Sequence, residues 1–82
     1  MQEYFYVYRL RSIPSPSQVY TGLTEDLMFR VARHNNGDCP HTSKYRPWIL
    51  ETAVAFRSRE KAADFEAYLK TGSGREFARR HF

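Results

Sequence analysis

Tyr20-Thr21-Gly22-Leu23-Thr24-Glu25-Asp26-Leu27-Met28-Phe29-Arg30-Val31-Ala32-Arg33-His34-Asn35-Asn36-Gly37 contains a change of period, and that change decides the fold. Gln18 to Leu23 suits a strand, with β-branched and aromatic residues and a glycine near its end. From Thr24 the pattern becomes helical. Thr24 is expected to cap the helix, Glu25 and Asp26 favour its positive end, and Asn35-Asn36-Gly37 stops it. Leu27, Met28, Val31 and Ala32 form the expected buried stripe. Arg30 and His34, one turn apart, share a different face.

Before this stretch, Tyr4 to Leu10 alternates and is rich in aromatics, so it reads as a first strand. Tyr4, Tyr6, Tyr8 and Leu10 share one face, and Phe5, Val7 and Arg9 the other. Ser12 to Ser17 carries two prolines and reads as a turn short enough for an antiparallel hairpin.

After it, residues 36–47 form a polar loop containing Pro40 and Pro47. Trp48 to Phe56 reads as a third strand. Ser58 is expected to cap a helix running to about Lys70, with Ala62, Phe65 and Leu69 inward and Gly72 at its C-terminal cap. Ser73-Gly74-Arg75-Glu76 has the spacing of a capping box opening a short last helix. The order β-β-α-β-α-α predicts an α+β fold, a three-stranded, mostly antiparallel sheet with packed helices. Residues 1–82 are expected to form a single domain, with no repeat and no linker.

The chain has 41% hydrophobic and 16% aromatic residues, a globular rather than a disordered composition. Thirteen Lys and Arg against nine Asp and Glu give +4, and ten of the thirteen are Arg. An Arg-rich basic domain suits bidentate phosphate contacts and leans toward nucleic acid, although a merely soluble cationic protein has the same charge. A lone Cys39 excludes an internal disulfide, and with His41 it gives too few ligands for a zinc site. No apolar run approaches a membrane span, and no signal pattern opens the chain, so no membrane partner and a cytoplasmic location are expected.

Tyr8, Tyr20, Arg30 and His34 could meet at one surface, which suggests phosphate chemistry. Hydrolysis of a phosphodiester needs a positioned water that loses a proton, neutralised charge on phosphorus and a stabilised leaving oxygen. Tyr orients water and exchanges protons, Arg supplies a permanent planar cation, and His acts as base near neutral pH. Glu66 offers hard oxygens to Mg²⁺, which accepts few protein ligands and keeps several waters.

Tyr6-Val7-Tyr8, Tyr20-Thr21-Gly22, Arg30, His34 and Glu66 resemble the signature of the GIY-YIG endonuclease superfamily. The chain from about Tyr4 to Phe82 is similar to its small stand-alone members, which are grouped with the nuclease domain of excinuclease C. The resemblance implies a metal-dependent endonuclease hydrolysing DNA, with a place in repair or recombination. It implies catalytic roles for Tyr8, Tyr20, Arg30 and His34, a structural role for Gly22, and binding of Mg²⁺ or Mn²⁺ by Glu66. It also implies DNA and a specificity-giving protein as partners. Three departures stand out. Tyr6 and Val7 replace Gly and Ile of the first triplet, Thr21 replaces Ile of the second, and Ala78 stands where many members carry Asn.

Each residue also has an ordinary reading. The tyrosines could simply pack in the sheet. Arg30 could be a solvated cation, His34 a helix C-terminal cap, and Glu66 an i,i+4 partner of Lys70. Lys44-Tyr45-Arg46 reads as a basic-aromatic patch suited to a nucleic-acid backbone, or as an ordinary polar loop. Arg75, Arg79 and Arg80 read as a solvated helix face, with DNA contact as the other reading. Two further functions stay open at this point. One is a catalytically weak or inactive nucleic-acid-binding module acting with a partner protein. The other is an interaction domain whose tyrosines only pack.

Overall fold

A computed structural model describes residues 3–82. The elements follow the expected order: β1 (Phe5–Ser12), β2 (Val19–Thr24), α1 (Leu27–Asn36), β3 (Trp48–Phe56), α2 (Arg59–Leu69) and α3 (Gly72–His81). The strands form one antiparallel sheet in the order β2-β1-β3, so β1 is central and β2 is an edge.

A central strand is covered on both faces, and β1 divides its side chains accordingly. Val7 joins Ala62, Leu69 and Ala78 on the face covered by α2 and α3, with Phe5, Phe56, Phe65 and Phe77 packed around them. Tyr8 and Leu10 join Trp48 on the face covered by α1, with Tyr20, Leu27 and Val31. Each face thus buries its own apolar cluster, and burial of this kind supplies most of the driving force for a domain this small.

The pairing of β1 with β3 slips at one point: Arg9 faces Thr52 but Leu10 faces Leu50. Glu51 is the extra residue of this bulge. The bulge reverses the parity of β3, so Trp48 and Leu50 serve the α1 face while Phe56 serves the other. The Glu51 carboxylate accepts from Arg9 Nε at 3.0 Å and from Arg11 Nε at 3.0 Å, which ties the bulge to the central strand.

Several local expectations are corrected. Asp26, not Thr24, caps α1, because Thr24 pairs with Tyr6 as the last residue of β2. The Asp26 side chain accepts from Phe29 N at 3.2 Å, while Thr24 Oγ1 accepts from Asp26 N at 3.1 Å. Met28 is 72% exposed and Ala32 is exposed, whereas His34 is 1% exposed. The helix therefore turns Leu27, Arg30, Val31 and His34 toward the sheet. This is an i, i+3, i+4, i+7 stripe containing two polar residues that an apolar pattern leaves out.

Ser58 caps α2 as expected, accepting from Lys61 N. Gly72 does not end that helix; Lys70 is its C-cap, and Gly72 is the first residue of α3. Thr71 caps α3 by accepting from Gly74 N, so the capping box at Ser73 does not form, and Glu76 pairs with Arg79 instead. A Cβ on Gly74 would overlap the Tyr68 carbonyl, so the sharp α2–α3 junction needs glycine there. The polar loop holds a single 3-10 turn, Ser43–Tyr45.

Candidate active site

Tyr8 on β1 and Gly22 on β2 are directly paired, and Tyr20 lies two residues away on the same side of β2. A Cβ on Gly22 would stand 2.6 Å from the Tyr8 hydroxyl and 2.9 Å from Tyr20 Cε2. Gly22 therefore makes the space in which two tyrosines on neighbouring strands lean together, with ring centroids 6.1 Å apart.

His34 of α1 closes this space from above. Its ring lies 4.7 Å from that of Tyr20 and 5.9 Å from that of Tyr8. Nε2 is 2.9 Å from the Tyr8 hydroxyl and Nδ1 is 2.8 Å from Thr42 Oγ1. Thr42 donates its only hydroxyl proton to the Cys39 carbonyl at 3.3 Å, so it accepts from Nδ1–H. Nε2 is thereby left as an acceptor, and Tyr8 donates its proton to it. Burial lowers the pKa of His34 from its ordinary value, and the Arg30 and Arg33 charges lower it further. The imidazole is neutral at pH 7, which corrects the reading of His34 as a charged helix cap. Tyr8 is 1% exposed, and burial followed by the neighbouring Tyr20 holds its phenol well above the ordinary tyrosine range. Arg30 pulls the other way, so its charge reaches both Tyr8 and His34. Arg30 itself is half-buried.

Glu66 is not part of this cluster. It lies on α2, which packs with the cluster on the other face of the sheet, and its carboxylate accepts from Lys70 Nζ at 3.2 Å. This is the i,i+4 pair that forms the ordinary reading of Glu66. The helix nevertheless runs beside the edge strand between two grooves. Arg59, at its start, lines one of about 290 Å³ together with Leu23, Thr24 and Arg30. Lys70, at its end, lines another of about 550 Å³ together with Tyr20 and Thr21. Among the described residues, no group of three or more His, Cys, Asp or Glu side chains converges to hold a metal ion. A single carboxylate suits only an ion that takes its other ligands from water and phosphate, as Mg²⁺ does.

The Lys44-Tyr45-Arg46 patch is partly consumed by the fold. Tyr45 meets Trp48 edge-on at 6.4 Å, and the Lys44 ammonium sits 5.2 Å from the Tyr45 ring. Arg46 Nε donates to the Ser43 carbonyl at 2.9 Å. Lys44 and Arg46 remain exposed, while the Tyr45 ring is half-buried. Ala78 is 1% exposed in the cluster with Val7, Ala62 and Leu69. The position thus packs the core here and presents nothing to a surface site.

Two residues of this neighbourhood are invisible to sequence patterning. Thr42, 2% exposed, fixes the His34 tautomer, yet it sits in a loop without periodicity. Asn35 reads in sequence only as part of a helix stop. Its amide clamps the start of β3, accepting from Trp48 N at 2.6 Å and donating to the Trp48 carbonyl at 3.1 Å. The one local signal at Thr42 is a small hydroxyl residue eight positions after His34.

A central β1 flanked by the edge strand β2, with Tyr8, Gly22 and Tyr20 beneath a buried histidine of α1, is the arrangement of a particular domain family. Residues 4–80 match the GIY-YIG catalytic domain, and the chain belongs to that family. Similar curated relatives include structure-specific endonuclease subunit SLX1 of Debaryomyces hansenii, 36% identical over 75 residues, or 83% of this chain and 22% of that protein. The same subunit of Candida dubliniensis is 38% identical over 74 residues, 82% of this chain and 26% of that protein. That of Talaromyces marneffei is 36% identical over 69 residues, 77% of this chain and 18% of that protein. The chain thus spans about a quarter or less of the length of the curated relatives it matches.

Proposed function

We propose that this chain is a single nuclease domain that hydrolyses DNA phosphodiester bonds with one divalent metal. The observation that supports it most is the hydrogen-bonded Tyr8–His34–Thr42 chain beside Tyr20, with Arg30 within electrostatic reach.

In this reading the half-buried Tyr20 orients the attacking water beside the scissile phosphate. Tyr8 takes the proton of that water as it passes its own across 2.9 Å to His34 Nε2. The proton comes to rest on an imidazole that Thr42 holds in the accepting tautomer. The imidazole is neutral at pH 7 and has a lone pair for that proton, although burial and the Arg30 and Arg33 charges make it a weaker base than a free histidine. The phenol itself is too weak an acid to begin as phenolate, so it serves as a relay and not as a free base. Arg30 neutralises the charge that builds on the non-bridging oxygens. Gly22 keeps the two tyrosines close enough to share the work. Glu66 would hold Mg²⁺ or Mn²⁺, and that ion, when bound, supplies Lewis-acid polarisation of the phosphate.

The relatives' printed name, structure-specific endonuclease subunit, supports two further parts of the reading. The substrate is branched or discontinuous DNA, as met in repair and recombination, and a protein partner contributes to its choice. The alternative of a catalytically weak or inactive binding module rests on Ala78 in place of the family Asn and on the small size of the chain; salt-sensitive DNA binding without metal-dependent cleavage would favour it.

Arg30→Ala and Glu66→Ala each remove a group from a half-exposed position. Each should lower Mg²⁺-dependent cleavage at least about a hundredfold, Arg30→Ala by removing a transition-state charge partner and Glu66→Ala by removing the proposed metal ligand, with the melting temperature within a few degrees of the parent. Cleavage at the parental rate by either variant contradicts the role given to that residue.

A further inference from the structure

The larger groove adjoins the tyrosine cluster at Tyr20 and extends away from it. It follows the outer part of β2 and is closed by the junction of α2 and α3. Arg9, Lys70 and Arg75 line it together with Gln18, Tyr20 and Thr21, and no carboxylate does. A pocket for a small organic ligand has mostly apolar walls with few polar groups. This one is open and presents three cations beside hydroxyl and amide groups.

The cations are not equivalent. Arg9 is held by Glu51 at 3.0 Å, and Lys70 by Glu66 at 3.2 Å. Arg75 has neither an ion-pair partner nor a side-chain hydrogen bond among the described residues. Arg79, one turn later, is by contrast paired with Glu76. An uncompensated guanidinium in a concave cationic surface suits an anion with planar, bidentate geometry. The groove shares Tyr20 with the candidate active site, so a strand whose scissile phosphate lies beside Tyr20 and Arg30 extends into it over the edge of β2.

We infer that this groove is a second phosphate-binding site, in which Arg75, with Lys70 and Arg9 behind it, holds the DNA backbone next to the cleaved bond. The inference rests on the nuclease reading and deepens it. It assigns to Arg75 the binding of substrate and not the chemistry.

Each phosphate neutralised by a side chain releases a condensed counterion. Loss of one such contact lowers the slope of log affinity against log salt by about one. The experiment is fluorescence anisotropy of a labelled branched DNA duplex without divalent metal, titrated at several salt concentrations. Arg75→Gln should bind about fivefold more weakly at low salt, with a slope shallower by about one. Arg80→Gln, on the same helix but outside the groove, should bind as the parent does. Parental affinity and slope in Arg75→Gln, while Glu66→Ala still loses cleavage, overturn the groove and leave the nuclease reading standing. Failure of the parent to bind or cleave any DNA overturns both.

Discussion

The Tyr8 hydroxyl carries one proton, His34 Nε2 has one lone pair, and the 2.9 Å between them puts the two in a fixed order. Thr42 completes that order from behind by accepting from Nδ1 at 2.8 Å. A consequence for stability follows from the burial of His34. In the unfolded chain its imidazole binds a proton near the ordinary value of 6.5, whereas in the folded chain it does so only at lower pH. Between those two values the unfolded state holds more protons, so stability falls as pH drops. The melting temperature should be level above about pH 7.5 and decline as the pH falls through 6.5. His34→Gln should flatten that decline, whatever its effect on the absolute melting temperature. A variant curve parallel to the parental one contradicts the buried, neutral state of His34. At this scale the sequence shows the residue types but not their partners. Tyr8, Tyr20, Gly22 and His34 are legible because their spacing is local to two strands and one helix. Thr42 is not, because its contact depends on how a loop folds back over α1.

Elements are legible where one period dominates and less so where polar chemistry is buried. The third strand, Trp48–Phe56, has the expected bounds, yet the bulge at Glu51 cannot be read from alternation, since it exists only in the register with β1. Helix α1 lies where its pattern predicts but with its stripe turned differently. Met28 and Ala32 look apolar in sequence, while Arg30 and His34, which face the sheet, do not. At Thr24, Gly72 and Ser73 several capping residues stand close together; strand pairing takes Thr24 for β2, and the Thr71 side chain caps α3 ahead of Ser73. Ala78 of α3 supplies a test at this scale. Asn at this position would place an amide among Val7, Ala62 and Leu69. Ala78→Asn should cost about 2–4 kcal/mol, from added volume together with an unsatisfied polar group, and should not raise cleavage. Urea unfolding of parent and variant measures the loss. An Asn variant as stable as the parent and more active would return this position to the site.

The whole molecule places its chemistry at the margin of a sheet. Strand β1 is covered on both sides, so it fixes Tyr8 firmly but shows little of it to solvent. The edge strand β2 carries Tyr20 and Gly22 and separates two grooves that hold Arg30 at one end and Arg75 at the other. Helix α2 runs beside that edge and lines one groove with Arg59 and the other with Lys70, whereas Glu66 lines neither and lies on the other face of the sheet from His34. No helix is long and apolar enough to cross a membrane among the described residues. The central claim, that this margin hydrolyses a phosphodiester, is tested most directly by single-turnover cleavage of a panel of duplex, single-stranded, flap and branched DNA, with Mg²⁺ and with EDTA. Mg²⁺-dependent cuts are expected in the branched or flap substrates and should disappear in Arg30→Ala. A folded parent that leaves every substrate intact, or cuts that persist undiminished in Arg30→Ala, would contradict it.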